Sequence, residues 1–295
     1  TGNFMTSTYY TDELPEWVSQ FNREKRASRY LEETWEPLYP IETYVQSTND
    51  ENEYERTYRG EKESSFPYDL KQIAKSEGVG LIRSTPFGNQ LVMDMAIASI
   101  EGEGLGQDDT TDFLAVSFSS TDYLGHQFGS NAIEIEDTYL RFDLEIERLL
   151  DYLDENFKDE YMIFLTADHG VVNVPQFLMD NKMVGGYLQE EEIAEELLDQ
   201  INEALGEGDW ILDVGNDQLY LNHSLIDEKG LDRNMVINTI RDILQSFDEI
   251  SVAYTKSEIL QRNSTDPFKH RIENGFNAKR SGDIAARLKP GYLSV

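Results

Sequence analysis

The feature that most constrains the fold is a pair of apolar runs, residues 113–118 (FLAVSF) and 161–166 (YMIFLT). Neither run alternates between apolar and polar residues, and both are short and flanked by turn-forming residues. This pattern is typical of strands that are covered on both faces of a sheet. Each run is followed by an acid and a histidine. These four residues are Asp122, His126, Asp168 and His169.

A long helical pattern lies between the two runs. Its apolar residues recur at alternating steps of four and three and are Ile135, Tyr139, Phe142, Ile146, Leu149 and Leu153. Such spacing predicts one apolar stripe along a helix. The opposite face carries the charged residues Glu134, Asp137, Arg141, Glu145, Arg148 and Asp151. Strand, helix and strand in this order predict a right-handed parallel crossover, with ligands bound beyond the carboxyl ends of the strands.

The two Asp–His pairs have the composition of metal ligands. Asp122 and His126 are four residues apart, so a helical turn would put both side chains on one face, with Gly125 allowing a close approach. Asp168 and His169 are adjacent and can share an ion only if the strand ends there, at a turn that Gly170 permits. Carboxylate with imidazole suits zinc better than calcium or magnesium. The alternative interpretation is that each pair is a turn with a surface histidine.

The motifs around these residues resemble those of the alkaline phosphatase superfamily. They are the stretches at residues 120–126 (STDYLGH) and 167–170 (ADHG), supported by residues 85–89 (TPFGN) and 274–283 (NGFNAKRSGD). The most similar branch is that of the phosphate-irrepressible alkaline phosphatases, near the type I phosphodiesterases and nucleotide pyrophosphatases. The resemblance implies an α/β fold, with a mostly parallel sheet flanked by helices and a small α+β insertion.

The resemblance also implies a two-zinc site that hydrolyses phosphate monoesters. Asp122 and His126 would hold one Zn²⁺, and Asp168 and His169 the other. The family's threonine nucleophile, its substrate-binding residues and its last metal-binding histidine have no match here, so catalytic and substrate-binding residues stay unknown. We therefore expect an internal segment of a longer enzyme, inactive alone and with weak or partial zinc occupancy. Phosphodiesters, nucleotide pyrophosphates and sulfate esters are alternative substrates, and a non-catalytic interaction module is an alternative function.

The composition limits the kinds of partner that the protein can bind. The formal net charge of −32 argues against binding to nucleic acid, whose phosphates would be repelled. No apolar run is long enough to span a membrane, and the chain has no cysteine for a disulfide or a thiolate ligand. Small-molecule phosphate esters are the expected substrates, and the resemblance implies a periplasmic or secreted protein.

The pattern of elements changes after Gly170. Residues 188–205 and 236–247 predict two amphipathic helices, and a turn at residues 215–217 (GND) predicts a hairpin. We read these elements as an α+β insertion or cap at residues 173–270. Residues 1–172 and 271–295 would then form the incomplete α/β domain, with Ile284 to Leu288 returning to the main sheet.

Overall fold

The computed structural model describes residues 2–158 and 160–295. The chain divides into two compact units, one ending at Asn173 and the other running from Val174 to Val295. The α/β class is as expected from the sequence. Each unit has its own hydrophobic core.

The first unit is mainly helical. Its α-helices are α1 (Glu16–Arg23), α2 (Arg26–Tyr30), α3 (Leu70–Glu77), α4 (Phe87–Glu103), α5 (Ser120–Phe128) and α6 (Ile133–Phe157). Two short strands, β1 (Thr34–Trp35) and β2 (Tyr68–Asp69), pair antiparallel. Two 3₁₀ helices lie at Ile41–Thr43 and Gly78–Ser84. The core centres on packed aromatic rings, with Trp35, Tyr68 and Phe128 in mutual contact.

Two charged residues near the start of α6 are buried together with its apolar residues. Glu134 and Asp137 are both 0% exposed, whereas Tyr139 of the predicted apolar stripe is 58% exposed. The helix itself is confirmed, but burial does not follow the division into an apolar and a charged face at these positions. The reason is hydrogen bonding: the Tyr68 hydroxyl donates to Glu134 over 2.5 Å, and Trp35 Nε1 donates to Asp137 over 2.7 Å.

Glu134 has an unusual protonation equilibrium. Burial, followed by the nearby carboxylate of Glu55, raises the pKa of Glu134 to about 8, against the opposing effect of the hydrogen bond from Tyr68. Burial also raises the pKa of Glu55, to about 7. One oxygen of each carboxylate, Glu134 Oε2 and Glu55 Oε2, is shielded from solvent without a hydrogen-bond partner. Both groups therefore favour the protonated form when the chain is folded.

This equilibrium predicts that stability falls as the pH rises. Between about pH 5 and pH 8 the unfolded chain has released the Glu134 proton while the folded chain still holds it, so each pH unit costs roughly 1 kcal/mol. Glu134→Gln keeps an acceptor for Tyr68 but cannot ionise, so it should flatten the decline, with Glu55 contributing the remaining slope. Urea unfolding at several pH values between 5 and 8 measures the free energy of unfolding of the unaltered chain and of Glu134→Gln. Identical slopes in the two chains would contradict the prediction.

The two apolar runs are not strands. Residues 113–118 and 161–166 lie outside every strand of the described chain, and they are largely exposed, with Phe113 at 89% and Phe164 at 83%. A strand needs a neighbour to pair its backbone N–H and C=O groups, and no described segment runs alongside either stretch in a ladder. The predicted parallel pair is therefore wrong for these residues. Phe118 does pack on Phe142 of α6, with ring centroids 4.7 Å apart.

The second unit combines helices with short strands. Its helices are α7 (Pro175–Asp180), α8 (Glu190–Leu205), α9 (His223–Glu228), α10 (Arg233–Gln245), α11 (Lys256–Leu260) and α12 (Pro267–Gly275). Its strands are β3 (Gly186–Leu188), β4 (Ile211–Gly215), β5 (Gln218–Leu221), β6 (Ile250–Thr255), β7 (Ile284–Leu288) and β8 (Tyr292–Ser294). The pair β3 and β8 is parallel.

A four-stranded antiparallel sheet in the order β4-β5-β7-β6 organises this unit. The predicted hairpin is confirmed, and its turn residues Asn216 and Asp217 both have positive φ, as a tight type I′-like turn requires. Buried residues of α8 and α10 share one core with the sheet, as predicted for an α+β unit; among them Ile201, Val236 and Ile240 are fully buried.

The prediction that Ile284 to Leu288 return to the main sheet is wrong. This strand, β7, lies between β5 and β6 and pairs antiparallel with both, so neither of its edges is left without a neighbour. Residues 271–295 thus belong to the second compact unit. The grouping of residues 1–172 with 271–295 as one domain, with 173–270 as its insertion, stays a proposal.

Candidate active site

Helix α5 carries the first Asp–His pair. It packs closely on the start of α4: a Cβ added to Gly88 would lie 2.5 Å from the Ile82 carbonyl oxygen and 3.2 Å from the Ser120 Cβ. A larger residue at position 88 would press on the backbone of the 3₁₀ helix Gly78–Ser84 and crowd Ser120 at the start of α5. Because Asp122 and His126 are one turn apart on α5, they share a face, as the sequence predicted.

Contacts between imidazole and carboxylate converge on Asp122. His126 Nε2 lies 3.6 Å from Asp122 Oδ2, and His169 Nε2 lies 3.7 Å from Asp122 Oδ1. His169 Nε2 is also 3.7 Å from Asp168 Oδ2. The four residues predicted from the sequence are therefore neighbours. All are accessible to solvent, from Asp122 at 44% to Asp168 at 90% side-chain exposure.

His169 is held in the orientation of a potential ligand. Its Nδ1 lies 2.9 Å from the Gly170 carbonyl oxygen, which fits an Nδ1–H donor and leaves Nε2 free to face Asp122. The backbone N–H of His169 donates to Asp168 Oδ1 over 3.1 Å. The hydrogen bond to Gly170, followed by the charges of Asp168 and Asp122, raises the pKa of His169. Gly170 has no positive φ, so the turn does not require glycine.

The separations suit a zinc ion at each pair. Two ligand atoms bound tetrahedrally to one zinc at about 2.0–2.1 Å lie about 3.3 Å apart, close to the 3.6 Å between Asp122 and His126 and the 3.7 Å between Asp168 and His169. Each pair is nevertheless only half of a usual zinc ligand set. Over residues 2–158 and 160–295, no group of three or more acids and histidines has the geometry to hold a metal ion.

The two hydroxyls beside the pair are engaged or buried. Thr121 donates to the Phe118 carbonyl oxygen over 3.2 Å, and Ser120 is buried. Sequence reasoning missed the contact of one positive group with α5. Tyr123 is the residue that follows Asp122 on α5. The Arg83 guanidinium lies 4.9 Å from the centre of the Tyr123 ring, and Arg83 Nη1 is 3.3 Å from the Tyr123 hydroxyl. An arginine 40 positions upstream of Tyr123 gives no local signal of this contact.

Comparison with known proteins identifies the family. The sequence profile of the type I phosphodiesterase / nucleotide pyrophosphatase family matches residues 5–295. The chain belongs to this family, which lies within the alkaline phosphatase superfamily.

Three similar proteins support the assignment. The chain is 43% identical to a Myroides odoratus protein named "Calcium-transporting ATPase", covering 100% of this chain and 54% of that protein. It is 42% identical to alkaline phosphatase PhoV of Synechococcus elongatus, covering 99% and 52% respectively. The crystal structure of alkaline phosphatase PafA matches with a TM-score of 0.92 at 38% identity, covering 100% of this chain and 56% of that one. The chain thus spans about half the length of its relatives.

Proposed function

We propose that the whole protein is a zinc-dependent alkaline phosphatase that hydrolyses phosphate monoesters, with this chain supplying four of its metal ligands. The observation that carries the proposal is the Asp122 carboxylate, which His126 and His169 approach from its two different oxygens. Identity of about 40% to two alkaline phosphatases supports the reaction class. Small phosphate esters would be the substrates, and a periplasmic or secreted location accords with those relatives.

The donor set indicates how the metal would be held. Asp122 and His126 would hold one zinc, and Asp168 and His169 the other. When bound, zinc supplies positive charge for phosphoryl oxygens and lowers the pKa of an attacking hydroxyl or water. Positive charge is needed here because the net charge of −32 would otherwise repel an anionic substrate. The carbonyl of Gly170 would keep the Nε2 lone pair of His169 aimed at the site.

Phosphodiesters and nucleotide pyrophosphates form the second candidate class. The observation that favours them is the matching family itself, whose description names both. Aryl phosphate and bis-aryl phosphate, assayed side by side with the whole protein, separate the candidates: the preferred class should have the higher kcat/KM.

The incomplete ligand set predicts how activity is distributed. Two protein ligands per zinc fall short of the three that catalytic sites use, so the 295-residue chain should hydrolyse an aryl phosphate negligibly. The whole protein should turn it over, with activity lost on treatment with a chelator and restored by zinc. Both proteins are assayed with zinc and with chelator. Rapid, chelator-sensitive hydrolysis by the 295-residue chain would contradict this prediction and make Thr121 the first residue to replace.

A further inference from the structure

A basic segment stands out in this acidic chain. Residues 256–289 contain eight Lys or Arg residues and four Asp or Glu residues, a formal net charge of +4, whereas the whole chain carries −32. The rest of the chain is therefore at −36. The segment includes α11, α12 and β7 of the second unit. A local reversal of sign on this scale favours the approach of anions to this surface.

The acids of the segment are already engaged within the unit. Their partners are Arg241 Nη1 for Glu258 at 2.9 Å, the Phe268 N–H for Asp266 at 2.9 Å, Lys269 Nζ for Glu273 at 3.9 Å and His223 Nε2 for Asp283 at 2.9 Å. None of them neutralises Arg271 or Arg287 by an ion pair in the part of the chain that the structure describes. The two guanidinium groups therefore keep their charge uncompensated.

These two arginines lie against the same exposed aromatic ring. The Arg287 guanidinium lies 4.4 Å and the Arg271 guanidinium 5.8 Å from the centre of the Phe268 ring. Arg287 Nη2 donates to the Ser251 hydroxyl over 2.9 Å, but its Nε and Nη1 groups are shielded from solvent with no hydrogen-bond partner among the described residues. Unpaired donors of a charged group are costly. Phe268, which covers them, is 52% exposed, so an incoming ligand meets a surface side chain rather than the core.

We infer that Arg271 and Arg287, which both lie against Phe268, form a binding site for a phosphate-type oxyanion. Such an anion can carry two negative charges and has several acceptor oxygens, so it can pair with both guanidinium groups, which recognise phosphate by charge-assisted hydrogen bonds. A chloride ion offers neither the second charge nor the spread of acceptors. The site lies within the second unit and does not depend on the proposed phosphatase activity.

Titration of the 295-residue chain with inorganic phosphate tests the inference. The protein is first stripped of metal with chelator and dialysed, so that zinc in the first unit cannot bind the probe, and chloride at equal ionic strength is the reference. Isothermal titration calorimetry should give saturable binding of phosphate that chloride does not reproduce. Arg271→Gln and Arg287→Gln should each weaken binding at least tenfold.

The matched control is Arg262→Gln, an exposed arginine of the same basic segment outside the pair, which should bind phosphate as the unaltered chain does. Arg287 lies in a central strand, so thermal unfolding checks that Arg287→Gln still folds. If Arg287→Gln does not fold, Arg271→Gln still tests the inference, because Arg271 is on the surface. An absence of saturable binding, or binding that persists unchanged in Arg271→Gln, would overturn the inference.

Discussion

Replacing Asp137 by alanine should destabilise the chain by about 3–5 kcal/mol, as removal of one partner from a buried ion pair does. Asp137 is 0% exposed and accepts four hydrogen bonds within the first unit. The donors are Trp35 Nε1 at 2.7 Å, the Leu38 N–H at 2.6 Å, the Tyr44 hydroxyl at 2.6 Å and Arg141 Nε at 2.7 Å. Without the carboxylate, these donors lose their partner and Arg141 its counter-charge. Urea unfolding of the 295-residue chain measures the change.

Asp143 provides the matched control for this prediction. It lies on the same helix, α6, is exposed and has no described partner, so Asp143→Ala should change the free energy of unfolding by less than about 0.5 kcal/mol. Asp137→Asn keeps one acceptor oxygen and should fall between the two. A loss below 1 kcal/mol in Asp137→Ala would mean that the four hydrogen bonds do not hold α6 against the aromatic core.

Asp122→Ala should lower the kcat/KM of the whole protein for an aryl phosphate by roughly a thousandfold or more. In the proposed function, this carboxylate is one of the two ligands that the chain gives to one zinc, and charge stabilisation by a metal is worth several kcal/mol, with each 1.36 kcal/mol equal to a factor of ten in rate. Zinc content, measured on the purified protein by mass spectrometry, should fall together with activity. The second readout separates a lost ligand from a misplaced substrate.

The control for this substitution is Asp151→Ala. Asp151 is an exposed carboxylate of α6, distant in sequence from the candidate ligands, and its removal should leave both zinc content and kcat/KM within about twofold. Full zinc occupancy and near-normal turnover in Asp122→Ala would exclude Asp122 as a ligand and remove the basis of the proposed two-zinc site.

The local motifs were readable from the sequence because their causes are local. Asp122 and His126 share a face because α5 forms between Ser120 and Phe128, and residues four positions apart lie on the same side of a helix. The hairpin at Asn216 and Asp217 follows in the same way from residues that tolerate positive φ. The sequence also predicted that Asp122 and His126 lie close to Asp168 and His169. That prediction assumed that the two apolar runs form neighbouring strands, which they do not.

The sequence by itself determined the long helices α6, α8 and α10, the hairpin, the family motifs and the acidic balance, because these depend on neighbouring residues and composition. Only the tertiary structure decided that Glu134 and Asp137 of α6 are buried, since these carboxylates become favourable in the interior only when Tyr68 and Trp35 donate to them. It likewise decided that β7 pairs with β5 and β6, and that Arg271 and Arg287 meet at Phe268. Strand partners and long-range contacts join residues far apart in the chain, and no local pattern specifies them.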